Sequence, residues 1–281
     1  MSLATIRQLL ADASKGGYAV GSFSAWDIYS AKALVEAAEE ERSPAIMAVW
    51  REEIEFAGIG NLFAVCLNEI KGASVPVSLF LDHAHSLEEI KEAVRHGANS
   101  VMIDSSSRPL AQNIGLTKEA ADYVHSLGIP IEGELGVLGE EEGSDPQEDL
   151  YTRPDDALAF VSETKVDCLA VAIGNAHGFY KQEPKLDLKR LKVISDLVKI
   201  PIALHGGSGI PKDQVREAIR LGAAKVNIGA EVRKGFYDGI KKAFSEKPNE
   251  RLAMNVYASA KENMKGVVRE KMRLFGSSGK A

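Results

Sequence analysis

The sequence predicts an α/β fold, a (β/α)8 TIM barrel with an extra C-terminal helix, and three observations predict it. Short β-rich runs alternate with longer segments of helical period, the runs are apolar on both faces, and the alternation repeats eight times. Strands buried on both faces belong to a parallel sheet covered by helices, and eight successive units favour closure over an open sheet. At 281 residues the chain has the length of one such barrel with insertions.

The opening "MSLATIRQLLADASKGG" reads as an amphipathic helix, without the long apolar core or cleavage pattern of a secretion signal. "YAVGSF" (18–23) is the first strand, followed by a helical pattern over 27–41. "PAIMAVW" (44–50) precedes one helical pattern over 55–72, and "VPVSLFLD" (75–82) precedes "SLEEIKEAVRHG" (86–97), where Leu87, Ile90 and Val94 recur at helical spacing. "SVMID" (100–104) leads to a helix over 111–128. "IPIEGEL" (129–135) leads to an acidic loop and a helix near 155–164. "DCLAVAIG" (167–174), "IPIALHG" (200–206) and "AAKVNIG" (223–229) are each followed by a helical segment, over 186–198, 211–222 and 230–244. Gly97, Gly128 and Gly222 stand where helix C-caps belong. The tail, about 256–275, reads as the extra amphipathic helix. No linker or composition break divides the chain, so one domain over 1–281 is expected.

A hydrophobic content of 45% with 26% charged residues points to a soluble globular protein with a large core. The net charge of −6 and the lack of a basic run exclude nucleic acid as an expected partner but leave room for a pocket for one small anion. No apolar run approaches the roughly 20 residues of a membrane span, so no membrane partner is expected. Cys66 and Cys168 lie in separate apolar segments and read as buried free thiols, which makes a cytoplasmic location the expectation.

Barrel chemistry sits at the C-terminal ends of the strands, so the polar residue closing each apolar run is the place to look. Strand 3 ends in Asp82-His83, strand 4 in Asp104, and strand 5 in Glu132 and Glu134. Asn175 and His177 follow strand 6, strand 7 ends in His205, and strand 8 carries Asn227. A single histidine at a strand end is most simply a residue bonded to backbone. Three from different strands at one barrel end suit a divalent metal, most simply Zn2+, with a position open for substrate oxygens. His85 shares the strand parity of His83, which keeps His-x-His ligation open. His96 and His125 fall on helix surfaces and are expected to be solvated.

"HGGSGIP" (205–211) opens the helix after strand 7. Gly206, Gly207 and Gly209 let backbone amides approach an anion at a helix N-terminus, where barrels often hold phosphate. The loop "GVLGEEEGSDPQEDL" (136–150) carries six carboxylates. It reads either as a solvated acidic loop or as a segment that brings one carboxylate over the site.

"LDHAHS", "SVMIDSSSRPLAQNI", "GELGVLGEEEG", "AVAIGNAHGFYK", "LHGGSGIP" and "AKVNIGAEV" together, in this order, resemble the motifs of the class II, metal-dependent ketose-bisphosphate aldolases, which include fructose- and tagatose-1,6-bisphosphate enzymes. The resemblance spans nearly the whole chain. It implies a lyase that reversibly splits a ketose 1,6-bisphosphate into dihydroxyacetone phosphate and an aldehyde, glyceraldehyde 3-phosphate for the parent substrates. It also implies Zn2+ on His83, His177 and His205, with Asp104 and Glu134 at a second metal position or supporting the ligands. Asp82 would exchange the C4 hydroxyl proton, and Glu141, flanked by competitors Glu140 and Glu142, the C3 proton. Gly178, Gly206 and Ser208 would grip the dihydroxyacetone phosphate end, with Gly207 in the same loop, often beside a monovalent cation (Na+ or K+), and Asn227 would hydrogen-bond the enediolate. A homodimer or homotetramer acting on a sugar phosphate in central carbohydrate metabolism is the expected setting.

The departures fall in the aldehyde half. Ser24 stands where family members commonly carry asparagine, and Trp50 where a small hydroxyl residue is usual. After Asn227, Gly229-Ala230 lack the usual threonine hydroxyl near phosphate, and Lys261 aligns where an arginine often receives the distal phosphate. The same enediolate chemistry on a ketose 1-phosphate with a different aldehyde product (deoxy, acid or unphosphorylated) is therefore a second reading. A non-catalytic sugar-phosphate-binding barrel is a remote third, disfavoured by the proton-transfer groups.

Overall fold

A computed structural model of the chain describes residues 2–138 and 148–281. Its strands, β1 (Val20–Ser24), β2 (Ala45–Trp50), β3 (Val77–Ala84), β4 (Ser100–Ile103), β5 (Ile131–Leu135), β6 (Cys168–Val171), β7 (Ile202–Leu204) and β8 (Ala223–Ile228), close into one barrel in chain order. Every neighbouring pair is parallel, with β1 paired to both β2 and β8. The expected eight-unit alternation is what closes it.

Alternation along each strand sorts side chains into two separate cores. Phe23, Met47, Val49, Leu79, Leu81, Val101, Leu169 and Val226 face outward into the layer shared with the helices. Val20, Ile46, Phe80, Met102, Cys168 and Ala203 face inward and pack with Ile6, Leu9, Leu10 and Ala13 of helix α1 (Ile6–Gly16), which plugs the amino end of the barrel. Cys66 and Cys168 are both buried free thiols, as read from the sequence.

Above that apolar plug lies an ionic layer that sequence reading did not anticipate. Lys225 Nζ donates to Glu132 Oε1 at 2.9 Å, both side chains fully buried, and sits 4.3 Å from the Phe80 ring centroid. A pair this deep holds only while both partners are present; removing one would cost about 3–5 kcal/mol. The upper layer, Ser22, Asp82, Asp104, Glu134 and Asn227, is polar and faces a cavity at the carboxyl ends of the strands.

The helical pattern over 55–72 splits in two. Helix α3 (Arg51–Ala57) ends at Gly58, φ 80°, and α4 (Ile59–Gly72) starts there, because the backbone turns at a conformation that favours glycine. The remaining helices are α2 (Ile28–Glu41), α5 (Leu87–Arg95), α6 (Leu110–Ser126), α7 (Pro154–Thr164), α8 (Leu188–Val198), α9 (Lys212–Arg220), α10 (Ala230–Glu246) and α11 (Ala253–Phe275). The tail helix α11 buries Ala260, Met264, Val268 and Met272, one residue per turn, against α10 and α2. Lys261 bonds both Glu36 carboxylate oxygens at 2.6 and 2.7 Å, and Lys271 pairs with Glu231 at 2.6 Å. No helix among the described residues is long and apolar enough to cross a membrane. His96 and His125, expected to be solvated, are instead half-buried and bonded to Glu92 (3.1 Å) and Asp167 (2.9 Å).

Candidate active site

The cavity is about 780 Å³ and is lined by residues from nearly every strand end, including Asp82, His83, Asp104, Glu134, His177, Ser208 and Asn227. Consecutive strand residues normally face opposite sides, yet Asp82 and His83 both line it. The reason is local. The register of β3 against β4 shifts between Leu81 and Ala84, and His83 has φ 52°, left-handed backbone that a non-glycine residue holds at a cost of about 1–3 kcal/mol. His85 lines the cavity too, but it is exposed, its Nδ1 lies 3.1 Å from Arg51 Nη1, and among the described residues it belongs to neither of the clusters able to hold a metal.

Those clusters are His83 with His177 and His205, and His83 with Asp104 and Glu134, each with its ligand atoms within 4.8 Å of one another. Imidazole orientation is set from outside. His83 Nδ1 donates to Asp104 Oδ2 at 2.9 Å, and His205 Nε2 donates to Glu132 Oε1 at 2.7 Å. Each ring therefore turns its other nitrogen inward, and His83 Nε2 and His205 Nδ1 lie 3.0 Å apart. Two lone pairs this close need a proton or a cation between them. Ligands on a tetrahedral zinc with bonds of about 2.0–2.1 Å stand roughly 3.3 Å apart, so the donor set fits that ion. Carboxylates backing two of the imidazoles complete the pattern of a metal centre. Glu132, counted from sequence among the site carboxylates, thus serves from the layer below as the anchor of His205.

The electrostatics show how polarised this cluster is. Burial alone would lower His83, but the Asp82 charge, the Asp104 hydrogen bond and the Glu134 charge push it up to about 10. His177 is pushed down to about 4 by burial and by the His83 charge. His205 lies well below the usual imidazole range because of burial and the Lys225 charge. Although burial opposes it, the His83 bond and charge hold Asp104 well below the usual carboxylate range. Burial and the Asp104 charge push Glu134 well above it. Asn227 Nδ2 lies 3.3 Å from both Asp82 Oδ1 and His205 Nδ1, while its Oδ1 and Glu134 Oε2 are buried without a hydrogen-bond partner among the described residues.

The loops after β6 and β7 are pressed together. A Cβ on Gly206, φ 61°, would come within 2.0 Å of the Ala176 carbonyl oxygen, so only glycine allows His177 and His205 to approach. Tyr180 staples the two loops, accepting from Ala176 N at 2.9 Å and donating to Gly206 O at 2.8 Å. Asn175 Nδ2 adds a bond to His205 O at 3.1 Å. Ser208 Oγ accepts from Glu231 N, and Gly209 N donates to Glu231 Oε1, which ties this loop to the start of α10. Gly178, Gly206, Ser208, Gly229, Ala230, Ser24 and Trp50 all line the cavity. Gly207 sits behind them, packed on Val226 and Asn227. Lys261 does not line it; its ammonium is spent on Glu36. Glu140, Glu141 and Glu142 lie outside the described residues.

A family model described as fructose-bisphosphate aldolase class-II matches residues 4–280. The chain belongs to the class II fructose-bisphosphate aldolase family. A fructose-bisphosphate aldolase of Geobacillus stearothermophilus is 38% identical over 288 residues, covering 100% of this chain and 99% of that protein. A sulfofructosephosphate aldolase of Alkalicoccus urumqiensis is also 38% identical, over 278 residues, covering 98% and 97%. Among solved structures, the YdjI aldolase of Escherichia coli K12 superposes with a TM-score of 0.89 at 35% identity, covering 99% of each chain. A fructose-1,6-bisphosphate aldolase described as putative, from Coccidioides immitis, gives 0.87 at 30% identity, covering 97% and 96%.

Several lining residues of this aldolase escaped the sequence reading, among them Glu52, Ser106 and Arg233. Arg233, in the first turns of α10, faces the cavity with its guanidinium 5.4 Å from the Trp50 ring centroid. It closes no strand, so a search of strand ends passes it by; the alternation "EVRKGFYDGIKK" on a helix rising from the phosphate loop was the available cue.

Proposed function

We propose that this aldolase reversibly cleaves the C3–C4 bond of a ketose 1-phosphate that is charged at its far end, releasing dihydroxyacetone phosphate and an aldehyde. Ketose 1,6-bisphosphates of the fructose or tagatose kind are the parent substrates. The observation that carries this reading is the placement of Asp82, a buried carboxylate lining the same cavity as the three imidazoles and linked to them through Asn227. A proton-transfer group so placed serves a reaction; holding a ligand alone does not need it.

In this reading Asp82 takes the proton of the C4 hydroxyl as the C3–C4 electron pair moves toward C2, leaving C4 as an aldehyde. Zn2+ held by His83, His177 and His205 would supply Lewis-acid polarisation of the C2 carbonyl. Asn227 Nδ2, beside both Asp82 and His205, hydrogen-bonds the oxygen where enediolate charge gathers. Backbone amides of Gly206 and Ser208, with the N-terminus of α10 at Ala230, hold the C1 phosphate. Protonation at C3 falls to Glu141 of the acidic loop. In the synthetic direction Asp82 returns its proton to the aldehyde oxygen.

Two relatives of equal identity carry names with different far ends, a phosphate and a sulfonate. The test is a panel of ketose 1-phosphates ending in phosphate, sulfonate or hydroxyl, assayed for dihydroxyacetone phosphate release with zinc present. Release from at least one is expected; release from none would refute the reading.

A further inference from the structure

A second cavity, of about 870 Å³, opens at the amino end of the barrel, where α1, α8, α9 and α11 end and β6, β7 and β8 begin. Its floor is apolar, with Ile200, Pro201, Ile219, Leu274 and Phe275 among the residues that form it. Its rim carries five cations, Arg7, Lys15, Lys199, Arg216 and Arg220, against two carboxylates, Asp167 and Asp196. In a chain with a net charge of −6 the balance is reversed at this one place.

The rim carboxylates do not absorb that charge. Asp167 pairs with Arg7 at 2.7 Å and also accepts from His125 and from Ile131 N, while Asp196 is held by Lys192. Arg220 donates to Glu217 at 2.7 Å. Lys15, Lys199 and Arg216 are exposed and have no carboxylate partner among the described residues. A cation in the last turn of a helix offsets the dipole there, which accounts for Lys15 on α1 and Lys199 at the end of α8 taken singly. It does not account for what lies between them.

Tyr18 lines the same cavity with only 7% of its surface exposed, and its hydroxyl has no hydrogen-bond partner among the described residues. A tyrosine buried that far ordinarily finds one. The ring is seated on the turn after α1 by Gly16, where a Cβ would come within 2.6 Å of it, and Lys280 Nζ lies 5.8 Å from its centroid. Burial and the Asp12 charge raise the hydroxyl above its ordinary 10, so at neutral pH it remains a donor. Across the cavity Ser195 Oγ also lacks a partner, in space that Gly222 leaves open: a Cβ there would stand 2.2 Å from it. Two free hydroxyl donors and three free cations surround an apolar floor, the pattern that suits an anion with an apolar body.

We propose that this cavity binds an organic phosphate the size of a nucleoside diphosphate, its phosphates on Lys15, Lys199 and Arg216 and its ring on the floor beside Tyr18. The Tyr18 and Ser195 hydroxyls complete the hydrogen bonds. The volume lies within the roughly 300–1,000 Å³ of small-molecule sites. The site is at the opposite end of the barrel from the metal-capable clusters, so it stands independently of the aldolase reading.

The experiment is titration calorimetry of the zinc-loaded full chain with ADP, pyrophosphate and adenosine. ADP should bind more tightly than pyrophosphate, and adenosine should give no heat at the same concentrations. The double variant Lys199→Gln/Arg216→Gln should weaken ADP binding by at least roughly 10-fold, the worth of one charged hydrogen bond, at an unchanged Tm because both side chains are exposed. Tyr18→Phe should weaken it by less, since only a neutral donor is lost. Arg233→Ala, in the cavity at the other end, should keep the wild-type affinity. Absence of ADP binding at millimolar concentration overturns the proposal, and so does an affinity that the double variant leaves unchanged. A loss in Arg233→Ala would place the anion in the other cavity. Pyrophosphate as tight as ADP would remove the floor from the site, and adenosine as tight as ADP would remove the cations.

Discussion

The two walls of the cavity are built on different principles. The wall from β3, β6 and β7 is locked: His83 sits in left-handed backbone, Gly206 leaves no room for a methyl group, and buried carboxylates orient His83 and His205. The wall from β1, β2 and α10 is looser. It rests on one stacking contact and one ion pair, and the Arg233 side chain keeps 32% of its exposure. The first wall tolerates no change without losing its geometry, whereas the second can be rebuilt without disturbing the barrel. In the proposed function the chemistry belongs to the first wall, while Ser24, Trp50 and Gly229, the departures from the family pattern, gather on the second.

Removing metal is the harshest way to break this division. Dialysis against a chelator should lower aldolase activity by at least roughly 10³-fold, whatever the substrate's far end, and Zn2+ should restore it. Full activity in metal-free protein, verified by elemental analysis, would mean the locked wall is not a metal centre. Asp82→Asn is the next largest change. It should lower kcat by about 10²- to 10⁴-fold while zinc content stays at the wild-type level, because the amide cannot take the proton. An unchanged kcat would remove Asp82 from the chemistry.

The smallest effect concerns stability. Burial, reinforced by the Asp82 charge and opposed by Arg233, pushes Glu53 up to about 7 from its ordinary 4.5. The folded protein therefore keeps a proton that the unfolded chain releases, so stability falls as pH rises from about 4.5 through 7, by up to about 3 kcal/mol. Glu53→Gln should flatten that part of the Tm profile, read by thermal unfolding at pH 5 and 7. A wild-type profile already flat there would show that Arg233 keeps the carboxylate ionised throughout.

Much of the locked wall was legible because strand ends in a parallel barrel must converge. Reading the residue that closes each apolar run was enough to bring His83, His177, His205, Asp82 and Asn227 together. Parity was no guide to ligation at His85, which reaches the cavity but lies exposed beside Arg51, outside both metal-capable clusters among the described residues. Layering failed at Glu132, which is two residues before Glu134 on the same inward face and so lies one level deeper, on Lys225 and His205. Alignment of Lys261 gave no warning that its ammonium is spent on Glu36 of α2, a residue 225 positions away.

The sequence by itself determined the eight strand–helix units and the polar character of their carboxyl ends. These follow from periodicities of two and 3.6 residues and from the short range of backbone preferences. Only the tertiary structure decided that Glu132 anchors His205, that Glu53 holds Arg233 over Trp50, and that Ser24 and Gly229 make room beside them. Such contacts join segments as far apart in the chain as Ser24 and Gly229, across walls whose spacing is set by barrel closure, and no local pattern encodes a distance of that kind.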